Sequence, residues 1–597
     1  MRNELPKGWV RTTLGEVCAM NPRMPFDDPM PEHTEVSFVP MAAVEEESGR
    51  LDSSQIRTLG SVRRGYTPFS ENDVIFAKIT PCMENGKIAL ATGLKNGVGY
   101  GSTEFFVFRP YEGLLPRFVL HFLLQPSFRE TAARQMSGAS GQKRVPANYL
   151  FTHEFSLPPT REQERILAKL DAALSSLERA EAAARRAQER VKRYRAAVLH
   201  AAVTGELTRG WRDAYWKNKK DKVETGNAQL QGLLATRREH WEESESERRR
   251  FAGKKLTDDR WKVGYPTPTP PTVDLPELPD AWTWISIDQL ASAVTSGSRG
   301  WKDYYSPDGP LFIRSQDIRS DKLDLAEVAH VRPPQASEGR RTQIKLGDLL
   351  VTITGANVGR AAVVETELSE AYVSQHVGLI RFVDTRPVQI AHIYITSPED
   401  GRKRLLASAY GAGKPGLNLT NLRELSIPLP PFAEQIEIVR EVQGRLSAAD
   451  RLDTALQQQL ERARATRESL LREAFAGRLV TQDSNDESAS LLLERIRATR
   501  EAQSEKMKGR RMSKSKVKAK TSGRRDLFSV LKENDGPMTP EQLFLAAGFK
   551  PPQVDQFYRE LTLLRDKIRE QKPIASQAKS WPLRAHVFLQ LKSGAEK

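Results

Sequence analysis

The side chains of this protein whose type and spacing could do chemistry are mostly cations beside turns. Arg63, Arg64, Lys78, Lys87, Lys143 and Arg144 stand early in the chain, and Arg299, Lys302, Arg314, Arg360 and Lys414 stand later. Guanidinium and ammonium groups on loops dock to phosphates for position or to the acceptor edge of guanine for sequence, so the chemistry on offer is recognition of a polyanion. A net charge of +15 points the same way. Each cation also has the ordinary reading of a solvated surface charge.

Catalytic patterns do not form. The stretches Gly138 to Lys143 and Gly411 to Lys414 are glycine-rich and end on lysine, but fail the spacing of a Walker phosphate loop. Two cysteines, Cys18 and Cys82, cannot make a four-ligand zinc site or a disulfide framework, and His33, His121, His153 and His376 are scattered. Leu429-Pro430-Pro431-Phe432 has leucine where an adenine methyltransferase needs a polar side chain before Pro-Pro-aromatic, so it reads as helix-entry punctuation. The start, Met1-Arg2-Asn3-Glu4, has no apolar signal core, and no run approaches the length of a membrane span. The expectation is a soluble, cytoplasmic chain with no membrane partner, no metal and no catalytic residue.

A duplicated scaffold positions the cations. Leu157-Pro158-Pro159, Glu162-Gln163, Ile166, Leu174, Leu199, Ala202, Gly205 and Leu207 recur 272 positions later as Leu429-Pro430-Pro431, Glu434-Gln435, Ile438, Leu446, Leu471, Ala474, Gly477 and Leu479. Upstream, Leu5-Pro6 and Trp9 match Leu278-Pro279 and Trp282 at an offset of 273, Asn72-Asp73 matches Gly347-Asp348 at 275, and Ile79-Thr80 matches Ile353-Thr354 at 274. A period this long excludes a solenoid and means that a whole module was copied. The copying keeps a cation at one turn, Lys87 after Asn85-Gly86 and Arg360 after Gly359. Trp9 and Trp282 read as core anchors of matching entry strands.

Within each copy, short apolar runs such as Val74 to Ile79 and Leu349 to Thr354 lie between turn signals and predict strands. After the proline pairs, Glu and Gln suit a helix N-terminus, and no proline or glycine interrupts Thr160 to Thr204. Leu177, Val191, Tyr194 and Val198 in one segment, and Leu446, Leu456, Leu460 and Leu470 in the other, step as a coiled-coil seam in helices of about 60 Å. Asp453 and Arg467 interrupt the second seam.

Two divergent heads, each opening with Leu-Pro-x-x-Trp and closing with Pro-Pro-x-x-Glu-Gln before a long helix that ends near Gly-x-Leu, resemble the DNA-specificity (S) subunit of a type I restriction-modification enzyme. The resemblance spans roughly Leu5 to Val480. It implies that the heads are target recognition domains, each reading half of a split double-stranded DNA site, and that the helices pair as an antiparallel coiled coil. It further implies two modification (methyltransferase) subunits using S-adenosylmethionine, and two restriction (ATP-dependent translocase and endonuclease) subunits using ATP and Mg. This chain would then hold no cofactor, because a flipped adenine enters a partner's pocket and the chain need only place that pocket.

The expected fold class is α+β: two pseudo-repeated target recognition domains joined by two long antiparallel coiled-coil helices, plus a small mostly helical C-terminal module. The divisions are 1–158 and 278–430 for the heads, 159–208 and 431–480 for the helices, 209–277 for an inserted helical and Pro-rich linker, 481–525 for a basic linker, and 526–597 for a module of possible winged-helix type. The linker insert echoes the chain's end, since Leu233 to Glu239 resembles Ile496 to Glu501. Competing readings are a regulatory DNA-binding coiled-coil scaffold independent of restriction-modification, and an enzyme with an unrecognised site in one head.

Overall fold

The computed structural model describes residues 4–24, 30–139, 141–218, 224–253, 258–272, 274–332, 341–411, 415–502, 525–534, 536–571 and 588–592. They fall into two compact units, Met1–Ala173 with Glu468–Lys597, and Leu174–Arg467.

In the first unit, Val74–Ala77 lies inside an antiparallel sheet ordered Cys18–Met20, Phe105–Pro110, Val74–Ala77, Ile88–Leu90. All four of its residues are buried. Ile75 and Ala77 pack with Val107 against Val39 and Phe69 of a second sheet, while Phe76 meets Phe108 and Phe128 edge-on from the other face. A strand covered on both faces gives an unbroken apolar run rather than alternation. The second sheet runs Ile56–Thr58, Glu35–Val39, Val98–Gly101, Thr67–Ser70, its central pair parallel. A ladder of Val10–Thr13 with Glu154–Leu157 delivers the chain into the first long helix.

The second unit repeats this plan. Its first sheet is ordered Ala291–Ser296, Val377–Phe382, Leu349–Thr352, Ala361–Val363, and its second Ala329–Val331, Tyr305–Ile313, Ala371–Val373, again with a parallel pair. Among the described residues the fourth strand is represented by one bridge, Gln343 with Tyr372. The entry ladder pairs Thr283 with Leu429 where the first head pairs Val10 with Leu157, which reproduces the offsets of 273 and 272. Inside each head one buried aspartate is gripped by an arginine through two nitrogens, Arg109 on Asp73 at 2.7 and 2.6 Å and Arg381 on Asp348 at 2.8 and 2.6 Å.

The repeated Pro-Pro-x-x-Glu-Gln motif has a mechanical role. Gln163 donates to Pro158 O at 3.1 Å, and Gln435 to Pro430 O at 2.8 Å, so each glutamine locks its proline pair to the first helical turn. The helices that follow are Thr160–Val203 and Phe432–Phe475. Within the second unit they run antiparallel, since Arg195 pairs with Asp450 and Glu181 with Arg467.

The seam differs from the heptad expectation. Val191 and Val198 are buried, whereas Leu177, Leu446, Leu456, Leu460 and Leu470 are half-buried. Tyr194 is 44% exposed and leaves the seam. Its place is taken by Arg195, which reaches Asp450 and stands 4.0 Å from Asp453. Buried Ala184, Ala449 and Ala463 fill the interface, and the interrupting Asp453 and Arg467 face opposite charge across it.

After each long helix a second helix caps a head. Gly226–Phe251 starts with Gly226 N donating to Ala281 O at 2.7 Å, and Leu230 and Leu233 join the core around Trp282 and Ile285. In the first unit the helix at 489–502 starts with Ala489 N donating to Gly8 O at 3.0 Å, and buries Leu492, Leu493 and Ile496. Gly8 and Ala281 both have positive φ, 88° and 69°, which turns the accepting carbonyl outward. The 209–277 stretch is therefore more than a linker: its helix is part of the second head.

Candidate nucleic-acid interface

In each head the interior strand of the first sheet runs out at a corner where two loops meet it. In the first head Ile79 and Ser137 both bridge to Arg144, which closes the glycine-rich loop at its base, and Thr80 N donates to Lys143 O at 3.0 Å. The turn beside it brings Glu104, gripped by Arg144 through Nε and Nη2 at 2.9 and 2.8 Å. This guanidinium holds the Glu104 carboxyl below the usual carboxylate range. Lys78 donates to Thr103 O at 2.8 Å and lies 4.9 Å from the Phe106 ring centre.

The second head builds the same corner from other side chains. Thr354 and Tyr410 both bridge to Gly416, so Thr354, rather than Ile353, stands where Ile79 does. The Thr354 hydroxyl meets His376 Nδ1, and Gln375 Nε2 lies 3.2 Å from His376 Nε2. Gln375 and His376 are exposed. One corner thus presents a charged rack and its twin a hydroxyl, an amide and an imidazole, two different sets of donors and acceptors on one backbone plan.

The sequence-derived cations divide by what already holds them. Lys87 is half-buried and donates to Val44 O at 2.9 Å and Met41 O at 3.4 Å, which ties the turn to the rest of the head. Arg314 clamps Asp317 through Nε and Nη2 and caps Glu327 O. Lys78 and Arg144 also have partners inside their head, where they shape the corner itself. Arg63, Arg64, Lys143 and Arg299 are exposed, and none has an ion pair among the described residues. Arg360 is half-buried, and its guanidinium has no hydrogen bond among the described residues. Its neighbour Ala361 is fixed from both sides, by Asp321 Oδ1 at 3.2 Å and by His392 Nε2 at 3.2 Å. Burial pushes the His392 imidazole down, so it stays neutral there. Lys414 and the side chain of Lys302 lie outside the described residues.

Gly86 and Gly359 shape the duplicated turns, with φ of 69° and 85°. A Cβ on Gly86 would come within 2.8 Å of Arg129 Nη1. The sequence patterns single out neither Gln375 nor Thr354 as a site residue, although Ser374, beside Gln375, matches Ser102 at the same offset of 272. Among the described residues no group of three or more His, Cys, Asp or Glu could hold a metal ion, and no helix is long and apolar enough to cross a membrane.

Comparison with known proteins agrees with the duplicated heads, the antiparallel helices and the diverged corners. The sequence matches the family model of the type I restriction modification DNA specificity domain at residues 6–184 and 338–462, just over half of its length, and the chain belongs to that family. It is 29% identical over 483 residues to the type I restriction enzyme EcoEI specificity subunit of Escherichia coli, covering 76% of this chain and 80% of that one. The EcoAI specificity subunit of the same species is 25% identical over 503 residues, covering 78% and 83%. A solved chain, described under the structural basis of complex assembly and conformational transition of the type I R-M system, aligns with 80% of this chain and 100% of its own. Its identity is 19% and its TM-score 0.54, a likeness of fold.

Proposed function

We propose that this chain is the DNA-reading subunit of a type I restriction-modification assembly, and that its two heads each read one half of a bipartite double-stranded DNA target. The observation that carries the reading is the pair of corners, equal in backbone and unlike in side chains, beside exposed cations. Arg63, Arg64, Lys143, Arg299 and Arg360 set position on phosphates or read guanine, and the corner groups supply the differing base contacts.

In this reading the chain is catalytically silent and works in the cytoplasm. Two modification subunits bring S-adenosylmethionine to a flipped adenine, and two restriction subunits bring ATP and Mg. The test is reconstitution with a methyltransferase partner. Adenine methylation at a split motif should require both proteins, and Gln375→Ala with His376→Ala should alter one half of that motif only. Methyl transfer by the purified chain alone would overturn the silent-subunit reading, and a change in both halves would overturn independent reading.

A further inference from the structure

Beyond the residues matched by the family model, which end at 462, lies a module with an apolar core of its own. Its elements follow in the order helix Leu527–Glu533, bridge residue Met538, helix Pro540–Ala546, helix Val554–Leu563, strand Ile568–Gln571 and strand Phe588–Leu591. Leu589 pairs with Met538 on one side and Glu570 on the other, so the last strand lies in the middle of three. Three helices with two paired strands and a bridging residue beside them are the layout of a winged-helix unit. One core of Leu527, Val530, Leu531, Leu543, Phe549, Phe557, Ile568 and Leu589 holds it.

The third helix turns Phe557, with Leu561 and Leu564, into that core. Asp555, Gln556, Tyr558, Arg559 and Thr562 are exposed on its other side. In helix-turn-helix architectures this is the helix that enters a DNA groove. Charge favours the same occupant. Arg559, Arg565 and Arg569 are exposed and have no ion pair among the described residues. Leading into the module, Lys506 to Arg525 holds ten Lys or Arg and no acid. Of the acids on the helix, Glu560 accepts from Gln556 at 3.1 Å, and Asp555 stands at the helix start. A single arginine among these acids suits a phosphate contact better than a base code.

We propose that the described residues 526–534, 536–571 and 588–592 form a winged-helix clamp that binds double-stranded DNA through its phosphates, independently of the sequence read by the heads, with Arg559 and Arg565 as contacts. The test uses the full chain and a fluorescent duplex of random sequence, titrated across a salt series. Arg559→Ala with Arg565→Ala should weaken binding about tenfold near physiological salt and lower the slope of log affinity against log salt by about two. Arg559→Lys with Arg565→Lys keeps the charge and should bind as the parent does. Unchanged affinity and slope in the alanine variant would overturn the proposal, as would equal weakening in the lysine variant with an unaltered melting curve. Val554 and Tyr558 are also exposed, so protein is the competing occupant. If the alanine variant keeps its duplex affinity but no longer binds a methyltransferase or translocase subunit, the face docks protein and the DNA clamp is wrong.

Discussion

Trp282 donates its indole N–H to Glu434 Oε2 at 2.8 Å, and the other oxygen of that carboxylate takes hydrogen bonds from Thr208 and Arg212, both at 2.7 Å. The duplicate of this pair is built differently. Among the described residues Trp9 Nε1 and Glu162 Oε1 have no hydrogen bond of good geometry, and burial pushes the Glu162 carboxyl up against the pull of nearby Trp9 and Gln482. Two copies of one motif therefore hold their carboxylates differently, Glu434 by three donors and Glu162 against burial.

Glu434→Gln leaves Arg212 buried without its carboxylate and should cost the second unit about 3 kcal/mol. Glu162→Gln removes a charge that burial opposes and should raise the stability of the first unit at neutral pH. Calorimetric melts of the two variants decide it; destabilisation by both changes would contradict the asymmetry.

The pH dependence follows from the same residue. A carboxyl raised in the folded state stabilises fully below its ordinary value and loses that contribution as pH rises through the raised one. Asp486 and Glu16, in the same unit, are held low by Arg165 and Arg497 and lose theirs as pH falls. The gap between Glu162→Gln and its parent should be largest near neutrality and close on acidification, read from melts across that range.

Lys87 and Arg360 share a position in the repeat but should separate in assay. Lys87→Ala removes two carbonyl contacts and should lower the melting temperature with little change in DNA salt dependence. Arg360→Ala should leave the melt alone and weaken DNA binding, by about 1–3 kcal/mol for a bidentate base contact. Equilibrium titrations and thermal melts on both variants give the answer.

Exchange of the first head with that of a relative should need its capping helix as well. Residues 1–156 alone would set a foreign surface against Leu492, Leu493 and Ile496, whereas moving 481–502 with them keeps the match. Soluble yield of the two chimaeras, followed by mapping of methylated adenines, checks this.

Matched heptads after Ala187 and after Gln459 enter the helix pair opposite each other, because Arg195 meets Asp450 and Glu181 meets Arg467. They add about 10 Å, so the preferred gap between half-sites should grow by up to about three base pairs. A heptad in one helix alone should break the register and the assembly. Long-read mapping of modified adenines reads the gap directly.

The duplicated plan was legible because its marker residues make contacts that few others can. Gln163 and Gln435 bridge to proline carbonyls, and Trp282 needs a carboxylate beside it. Tyr194 was misread because a heptad rule looks for apolar side chains, and here the seam closes on Arg195 and Asp450. Lys87 looked like a free turn cation because its acceptors, Val44 and Met41, lie more than forty residues upstream. The capping helix was half visible: the echo of Leu233 to Glu239 at Ile496 to Glu501 was present, but its offset of 263 broke the rhythm of the repeat. Which residues share a corner was not legible, since Thr354 and His376 meet only through the pairing of Leu349–Thr352 with Val377–Phe382.

The carbonyls of Gly8 and Ala281 receive their capping helices from opposite directions along the chain, and on the ribosome that difference becomes one of time. The cap of the second head, from Gly226, is synthesised before the strands it covers. The first head has all its strands by Leu157 but must wait for Ala489. At 5–20 residues per second that delay is roughly 17 to 66 s. Through it the apolar seat for Leu492, Leu493 and Ile496 stands open, which makes the nascent N-terminal half a surface for a chaperone to cover.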